Sequence, residues 1–337
     1  MAMDDYFASL LSEKIEPSKA DMNKAFRHRE LRKKLEDSQI LNKGADEDMY
    51  SFLTGSYVRH TAIHPFNDVD FFIVLERENF PDLSPGALLT KVENVLKDVL
   101  QKYEICKQSH SVKIEYPDGF SIDVIPAFEK SLDMFEIPEV FEDEEERWIN
   151  SNPKIHQELL TQANEQFDGK LVPLIKLLKF WKNNKCNILK SFHLELLVIE
   201  IFKNIAFESF SDSIHYFLFE VQKYLQKGTI IDPANSDNYV DDYLGADSVE
   251  IINRVKDGLE ICMEAAEYED SGLDYKAKEV WNEFFGINSE GLVQYQKQNH
   301  ELRIPNDIRL MKGVLSTISV LLEKRSDLIK SLVSLQR

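Results

Sequence analysis

Between residues 50 and 130 the chain alternates short apolar runs of strand length with one longer segment of helical period. Residues 68–75 (DVDFFIVL), 111–117 (SVKIEYP) and 120–128 (FSIDVIPAF) are rich in β-branched and aromatic residues, which predicts three strands. Residues 86–103 repeat Leu and Val at helical spacing between the first two runs. We therefore expect a helix to cross over within a small mixed sheet.

Outside this region the pattern is helical. Residues 18–38 mix charges of both signs at helical spacing and predict a mostly solvated helix. A chain of 337 residues is long for one core, and we expect an α+β organisation with a mixed-sheet lobe, residues 1–165, and an all-helical lobe, residues 166–337. Within the latter, residues 304–337 predict an amphipathic helix whose apolar stripe packs in the core or forms a partner surface.

The first predicted strand carries two acidic residues among apolar ones. Since side chains alternate along a strand, Asp68 and Asp70 lie on one face, about 7 Å apart, while Val69 and Phe71 point into the core. The third strand places Asp123 opposite its apolar neighbours, and the PDG turn before it predicts a hairpin with the second strand. A third carboxylate is therefore expected to reach the first two.

Three clustered carboxylates would raise one another's pKa values unless a cation lies among them, and Mg²⁺ or Mn²⁺ suits such oxygen ligands. Because protein Mg²⁺ sites are usually completed by substrate phosphates, the cluster points to phosphoryl or nucleotidyl chemistry. Gly55 and Ser56 precede it and favour close approach of a phosphate. Taken singly, an acidic pair is more often solvated and a Gly-Ser dipeptide is more often a plain turn.

Composition and charge exclude several classes of function. The net charge of −19, without a long basic stripe, argues against stable duplex nucleic-acid binding. Three widely spaced cysteines form neither a disulfide framework nor a zinc motif. The first residues do not resemble a secretory signal and no run is long and apolar enough to cross a bilayer, so we expect a cytoplasmic protein without membrane association.

The order of motifs resembles the DNA polymerase β-like nucleotidyltransferase superfamily. Within it, the chain resembles the bacterial CD-NTases, cyclic oligonucleotide synthases related to cGAS and DncV that signal in CBASS antiphage systems. The resemblance spans most of residues 45–286 and rests on the following stretches: GSYVRHTAIHPFNDVD, SIDVIPAF, LIKLLKFW, KSFHLELL, IIDPANSDNYV and VWNEFFG. It implies a nucleotidyltransferase lobe with a small mixed sheet, an oligoadenylate-synthase-like helical lobe, and an active site in the cleft.

The resemblance also implies roles for individual residues. Asp68, Asp70 and Asp123 would bind two Mg²⁺ ions and act as the catalytic residues. Lys179 would contact the β- and γ-phosphates and Ser191 would add a contact from a helix N-terminus, with Gly55 and Ser56 at the phosphate turn. On residue pattern alone, Ser191 reads equally as an N-cap and Lys179 as a solvated lysine, and Lys176 is a further candidate on the same helix face.

Four positions depart from the family pattern or leave alternatives open. His60 stands where the family usually has Gly, and this departure either stiffens the phosphate turn or brings a histidine to the triphosphate. Ser236 and Tyr239 replace an expected Pro and Asn, which leaves the contacts of that loop open. Trp148 reads either as a stacking partner of the donor base or as a buried aromatic residue.

The function expected from this resemblance is condensation of nucleoside triphosphates, with ATP among them and GTP or pyrimidine nucleotides as further substrates, into a cyclic di- or trinucleotide. A regulatory protein partner is also expected. One alternative keeps the fold and makes linear oligoadenylate or extends an RNA end. Another is a catalytically silent nucleotide-binding or antitoxin-like module, whose usual mark would be loss of a metal-binding acid.

Overall fold

The computed structural model describes residues 2–37, 50–141, 145–228 and 230–287. The chain divides into two compact units, residues 1–262 and 263–337. The predicted boundary between residues 165 and 166 stays a prediction. The amphipathic helix expected at residues 304–337 lies outside the described residues.

The first half of the chain is mixed. Its helices and strands, in chain order, are α1 (Ala2–Leu10), α2 (Lys19–Lys24), α3 (Arg27–Asp37), β1 (Ser51–Thr54), α4 (Gly55–Val58), β2 (Asp68–Leu75), α5 (Pro85–Val99), β3 (Glu104–Lys107), β4 (Val112–Glu115), β5 (Ser121–Ser131), β6 (Met134–Val140) and β7 (Glu146–Ser151). A π-helical turn, Leu11–Ile15, follows α1.

The seven strands form one sheet in the order β1-β2-β5-β4-β3, with β6 paired to β5 and β7 to β6. Strands β2 and β5 are parallel, and β4 and β5 form an antiparallel pair. The predicted strands, the crossover helix and the mixed sheet are therefore confirmed. Strands β6 and β7 were not predicted, because the acidic residues around them obscure the apolar alternation of Phe135 and Ile137, which are buried.

Apolar side chains pack on both faces of the sheet. Ser84 caps the N-terminus of helix α5, since its hydroxyl accepts a hydrogen bond from the Ala87 amide, and Pro85 occupies the first turn. Its buried side chains recur at helical spacing and join the larger core cluster with alternate residues of β2. The other face carries a smaller cluster that includes Phe72 and Val74. Burial on both sides explains why β2 is nearly continuously apolar.

The predicted solvated helix over residues 18–38 is wrong in two respects. It is two helices, α2 and α3, and Leu31 and Leu35 are buried in the larger cluster. The basic residue Arg27 is held in place, since its guanidinium donates to both oxygens of Asp118 at 2.8 Å and lies over the Tyr116 ring. The N-terminal region is thereby attached to the β4–β5 hairpin.

The second half is mainly helical. Its helices and strands are α6 (Pro153–Gln166), α7 (Leu171–Lys185), α8 (Ser191–Ile201), α9 (Phe210–Lys227), β8 (Ile231–Asp232), β9 (Asn235–Tyr239), α10 (Ser248–Asp270) and α11 (Asp274–Phe284). The short hairpin of β8 and β9 is an addition to the expected all-helical lobe, since the turn at Pro233 and Ala234 pairs two segments too short to show strand periodicity. None of the described helices meets the length and hydropathy that a membrane span requires.

Candidate active site

Three carboxylates come together on two neighbouring parallel strands. Asp70 of β2 is the direct register partner of Asp123 of β5, and Asp68 lies two residues before Asp70 on the same strand face. Val69 and Phe71, which alternate with the two aspartates of β2, are buried in the larger core cluster. The carboxylates therefore lie on the opposite face of the sheet. The sequence-predicted grouping of the three aspartates is therefore present in the structure.

The electrostatics of this cluster are unfavourable to charge. Burial, reinforced by the nearby charges of Asp68 and Asp123, raises the pKa of Asp70 to about 7. Burial also raises the pKa of Asp123 to about 6, with Asp68 and Glu115 adding repulsion. Carboxylates with such pKa values gain from a nearby cation, because a positive charge favours the ionised form.

The aspartates fit a divalent metal by their chemistry. The Oδ1 atom of Asp123 is buried and has no hydrogen-bond partner in the described part of the chain, which leaves a carboxylate oxygen free to bind a cation. Within the described ranges, however, no three His, Cys, Asp or Glu side chains are arranged as a ready metal-binding group. The protein thus supplies ligands without a closed cage, the usual condition of Mg²⁺ sites that substrate phosphates complete.

A tight turn packs directly on one of these carboxylates. Strand β1 ends at Thr54, the register partner of Asp70, and Gly55 follows with φ of +73°. A Cβ atom at Gly55 would lie 1.7 Å from Asp70 Oδ2, so no side chain fits there. The carbonyl of Ser56 accepts hydrogen bonds from the Thr61 amide at 2.9 Å and from the next amide at 3.1 Å, which closes the turn.

The backbone conformation at His60 explains why the family usually has glycine at this position. Its φ is +59°, in the left-handed region that glycine adopts without steric cost. The side chain is exposed. Whether it contacts a triphosphate stays a prediction.

The far end of the turn is anchored in a buried charged network, which we call the Glu195 network and which comprises Arg59, Thr61, Lys179 and Glu195. The Glu195 carboxylate contacts Lys179 Nζ at 2.5 Å and Arg59 Nε at 2.8 Å. The Thr61 hydroxyl donates to Glu195 at 2.8 Å, and Lys179 Nζ lies 3.1 Å from the Thr61 carbonyl and 3.0 Å from its hydroxyl. The turn therefore extends from Asp70 at one end to helices α7 and α8 at the other.

Charge pairing keeps the Glu195 carboxylate ionised. Burial by itself would raise the pKa of Glu195, yet Lys179 and Arg59 lower it to about 2. The Arg59 guanidinium also lies over the Phe192 ring, 5.4 Å from its centre. The network thus satisfies its buried charges internally, unlike the aspartates of the sheet.

The two residues expected to hold phosphates have different partners. Lys179 contacts Glu195 and Thr61, whereas Ser191 is the first residue of α8 and its hydroxyl lies 3.2 Å from Lys182 Nζ. Lys176, the further candidate, is bound to both carboxylate oxygens of Glu16 at 2.8 and 2.7 Å. That lysine belongs to a contact between α7 and the N-terminal segment.

The alternatives for Trp148 are resolved by its packing. Its ring lies 5.4 Å from the ring of Phe128 and beneath the guanidinium of Arg77 at 4.8 Å, against the larger core cluster. This is the sheet face opposite the aspartates. Trp148 is therefore a packed aromatic residue, and stacking on a donor base is wrong for this position.

Two histidines of the helical region have side-chain partners within the protein. His156 contacts Asp232 at 2.6 Å and thereby ties α6 to the β8–β9 hairpin. Burial lowers the pKa of His193 to about 4, and one of its ring nitrogens lies 3.0 Å from the Tyr243 hydroxyl. Asp232 also accepts from a backbone amide of its own turn.

Sequence reasoning missed the roles of Arg59, Lys182 and Glu195. The available signal was the position of Glu195 in the otherwise apolar run of α8, since a charged residue in a buried helix requires a partner. Beside the carboxylates, a pocket of about 380 Å³ is lined by Asp68 and by further, mostly polar residues, which are Pro65, Asn67, Lys113, Glu115, Tyr116, Gly119 and Ser121. Asp68 therefore borders a space open to a ligand.

Comparison with known proteins adds family information. The sequence model of the Second Messenger Oligonucleotide or Dinucleotide Synthetase domain, SMODS, matches residues 1–164. The Cyclic AMP-AMP-AMP synthase of an Acinetobacter species is 29% identical over 308 residues, with 85% of each chain covered. A probable cyclic nucleotide synthase of Bacillus cereus is 24% identical over 264 residues, which cover 69% of this chain and 80% of the relative.

Solved structures show the same fold. The Vibrio cholerae DncV cyclic AMP-GMP synthase in complex with nonhydrolyzable GTP superposes with a TM-score of 0.67 at 16% identity, covering 85% of this chain and 96% of that one. The Escherichia coli MS115-1 CdnC:HORMA-deltaN complex gives 0.65 at 18% identity, covering 84% and 96%. The predicted α+β nucleotidyltransferase fold is confirmed.

Proposed function

We propose that the chain is a nucleotidyltransferase of the CD-NTase type and that it condenses nucleoside triphosphates, ATP among them, into a cyclic di- or trinucleotide second messenger. The observation that carries the proposal is the pairing of Asp70 with Asp123 beneath the turn at Gly55. The curated relative named as a Cyclic AMP-AMP-AMP synthase supports the choice of ATP. GTP and pyrimidine triphosphates are further candidate substrates.

The proposed reaction is an in-line displacement. A ribose hydroxyl of one nucleotide forms an O–P bond with the α-phosphorus of another, the bond from that phosphorus to pyrophosphate breaks, and the hydroxyl proton is released. A second such step closes the ring. Two Mg²⁺ ions, with Mn²⁺ as a substitute, would be held by Asp68, Asp70 and Asp123, and a metal pair of this kind stabilises the charge on the attacking and leaving oxygens.

The remaining site residues bind and orient the nucleotide. Gly55 allows the backbone to approach a phosphate, because any larger residue would collide with Asp70. Ser56 adds a hydroxyl donor in the same turn, and Lys179 and Ser191 complete the proposed triphosphate-binding set. The free Oδ1 of Asp123 is available to a cation or to the hydroxyl proton.

The cellular setting is also part of the proposal. We place the protein in the cytoplasm, where its product would signal in CBASS antiphage defence. The CdnC structure is a complex with HORMA-deltaN, and a regulatory protein partner is proposed here by analogy. The net charge of −19 disfavours a large RNA acceptor.

Product identification tests the function directly. The purified protein is incubated with the four ribonucleoside triphosphates and Mg²⁺, and the products are analysed by mass spectrometry and by phosphodiesterases that distinguish linkages. We expect a cyclic di- or trinucleotide containing AMP. Linear oligomers would indicate the oligoadenylate or RNA-end alternative, and unreacted nucleotides, even with infected-cell extract added, would indicate the silent module.

The double variant Asp68→Asn with Asp70→Asn is the negative control for that assay. Amide side chains bind Mg²⁺ poorly, so the variant should fold and make no product. Asp98→Asn, an exposed acid on α5, removes a carboxylate elsewhere and should leave product formation unchanged. Undiminished turnover by the double variant would contradict the assigned metal site.

A further inference from the structure

A stretch without regular secondary structure, residues 61–67, leads directly into strand β2 and the first aspartate of the cluster. We call it the connecting segment. At its start, Thr61 contacts Lys179 of α7 through its carbonyl and its hydroxyl. At its end, the Asn67 carbonyl accepts a hydrogen bond at 2.7 Å from the first amide of β5. What holds the middle of the segment therefore affects how rigidly it presents Asp68.

The middle of the connecting segment is bound by the N-terminal region. The amide of His64 donates a hydrogen bond to the carbonyl of Ile15 at 2.7 Å. Ile15 ends the π-helical turn, in which the Glu16 amide donates to the Leu11 carbonyl at 2.7 Å. Because the last carbonyls of a helix have no partner within it, the carbonyl of Ile15 is available to another segment. The Ile15 side chain is fully buried and anchors this end of the turn.

The next residue connects the same turn to α7. Nζ of Lys176 donates to both carboxylate oxygens of Glu16, at 2.8 and 2.7 Å. Lys176 lies about one helical turn before Lys179 on the same helix. Helix α7 therefore holds the connecting segment in two ways. Lys179 contacts its start directly, and Lys176 acts on His64 through the Ile15–Glu16 end of the π-helical turn.

The pair of Glu16 and Lys176 is better suited to orienting the turn than to stabilising the fold. The Glu16 side chain is 44% exposed, and water screens such a pair. The chain leaves the π-helical turn at Glu16 in an extended conformation, with φ of −67° and ψ of 132°. A carboxylate bound through both oxygens fixes the direction of this exit. Loss of the pair should therefore leave the protein folded.

We propose that Glu16 is a positioning residue for the candidate active site. Its bond to Lys176 holds the Ile15 carbonyl on the His64 amide and thereby keeps the connecting segment in the conformation that presents Asp68 to the metal. This rests on the proposed function, since it concerns how a metal-binding residue of that site is held. Glu16 is assigned no contact with the nucleotide or the metal.

Hydrogen exchange of the ligand-free protein, followed by mass spectrometry on peptides covering residues 61–67, tests the contact without any turnover. Glu16→Gln should raise the exchange rate of this segment about threefold, since a weak ion pair that favours its closed form is lost. Glu13→Gln is the matched control, because Glu13 is an exposed acid of the same turn that bonds to the Ser9 hydroxyl of α1. Unchanged exchange of the segment in Glu16→Gln, or an equal rise in peptides of β2, would overturn the proposal.

Lys176→Met removes the same pair from the other side. It should raise exchange of the connecting segment as much as Glu16→Gln does. The double variant should add nothing further, because either change alone breaks the contact. Additive increases would show that the two residues act on the segment separately, and the proposed coupling through their pair would be wrong.

Kinetics distinguish this inference from the proposed function. In a wild type that makes the cyclic product, Glu16→Gln should lower kcat about threefold and raise the Mg²⁺ concentration at half-maximal turnover, with KM for ATP changed less than about twofold, because Glu16 acts on a metal ligand. Raised exchange with unchanged kcat and Mg²⁺ requirement would show a merely structural contact and overturn this inference alone. A wild type that makes no product, while the exchange of its variants changes as expected, would overturn the proposed function alone.

Discussion

The aspartate cluster, which comprises Asp68, Asp70 and Asp123, and the Glu195 network differ in how their buried charges are balanced. In the aspartate cluster, burial raises the pKa values of Asp70 and Asp123 to about 7 and about 6, although Arg59 lowers the first and Lys113 lowers the second. In the Glu195 network, paired cations lower the pKa of the single carboxylate to about 2. Unbalanced charge marks the place that a ligand completes, and balanced charge marks the part that holds the turn.

The largest effect is expected from Asp70→Asn in the aspartate cluster. Loss of this ligand should lower product formation roughly 10³-fold or more, because bound metal ions contribute several kcal/mol of transition-state stabilisation. Stability should move the other way, since the change removes repulsion with Asp68 and Asp123. Turnover and thermal unfolding in metal-free buffer check both signs, and a less stable variant would contradict the contrast between the two regions.

Neutralising the carboxylate of the Glu195 network should, in contrast, lower the stability of the protein. Glu195→Gln leaves Lys179 and Arg59 buried without their counter-charge, and we expect the free energy of unfolding to fall by about 4 kcal/mol. Glu16→Gln breaks the other carboxylate contact of α7, but that side chain is 44% exposed and the loss should stay below about 1 kcal/mol. Denaturant unfolding of both variants measures the difference, and similar losses would show that the Glu195 network has no special weight.

His193 adds a third case to the comparison, because its burial favours the neutral form of the imidazole. Burial lowers its pKa from 6.5 to about 4, so the unfolded chain binds the proton more readily between these values. Stability from this group is therefore present above pH 6.5 and lost as the pH falls towards 4, by about 3 kcal/mol at most.

His193→Gln should reduce this pH dependence, whereas the exposed control His64→Gln should retain it. Unfolding free energies measured at pH 7 and pH 4.5 provide the test. Parallel pH profiles for wild type and His193→Gln would show that the imidazole is accessible to protons in the folded state.

The smallest effect concerns the turn that connects the two regions. Gly55→Ala combines a positive φ with a Cβ atom 1.7 Å from Asp70 Oδ2, whereas Gly119→Ala has a similar φ of +77° and nothing within 4 Å. Both share the backbone cost, so the difference of about 2 kcal/mol in unfolding free energy reports the collision with Asp70. Only Gly55→Ala should also reduce turnover. Equal losses in the two variants would mean that the turn shifts away from Asp70 without cost.

Much of the site was predictable, because its signals are local. The period of two in DVDFFIVL places Asp68 and Asp70 on one face, and the PDG turn brings the strand of Asp123 alongside. The Glu195 network was not predictable, since Glu195 lies 16 residues after Lys179 and Arg59 lies 120 residues before it (195−179; 179−59). Spacing along α7 shows that its lysines share a face and does not show what each one meets.

The chain's own pattern predicted the strands, the crossover helix, the acidic face and the resemblance of its motifs to a known family, because each depends on residues close in sequence. Tertiary packing determined which charged side chains pair with each other. It paired Lys176 with Glu16 and Lys179 with Glu195, and it left Lys182 beside a hydroxyl, since counter-ions are chosen by distance in three dimensions. It also placed Trp148 on the face away from the aspartates, because its ring packs with Phe128 in the core.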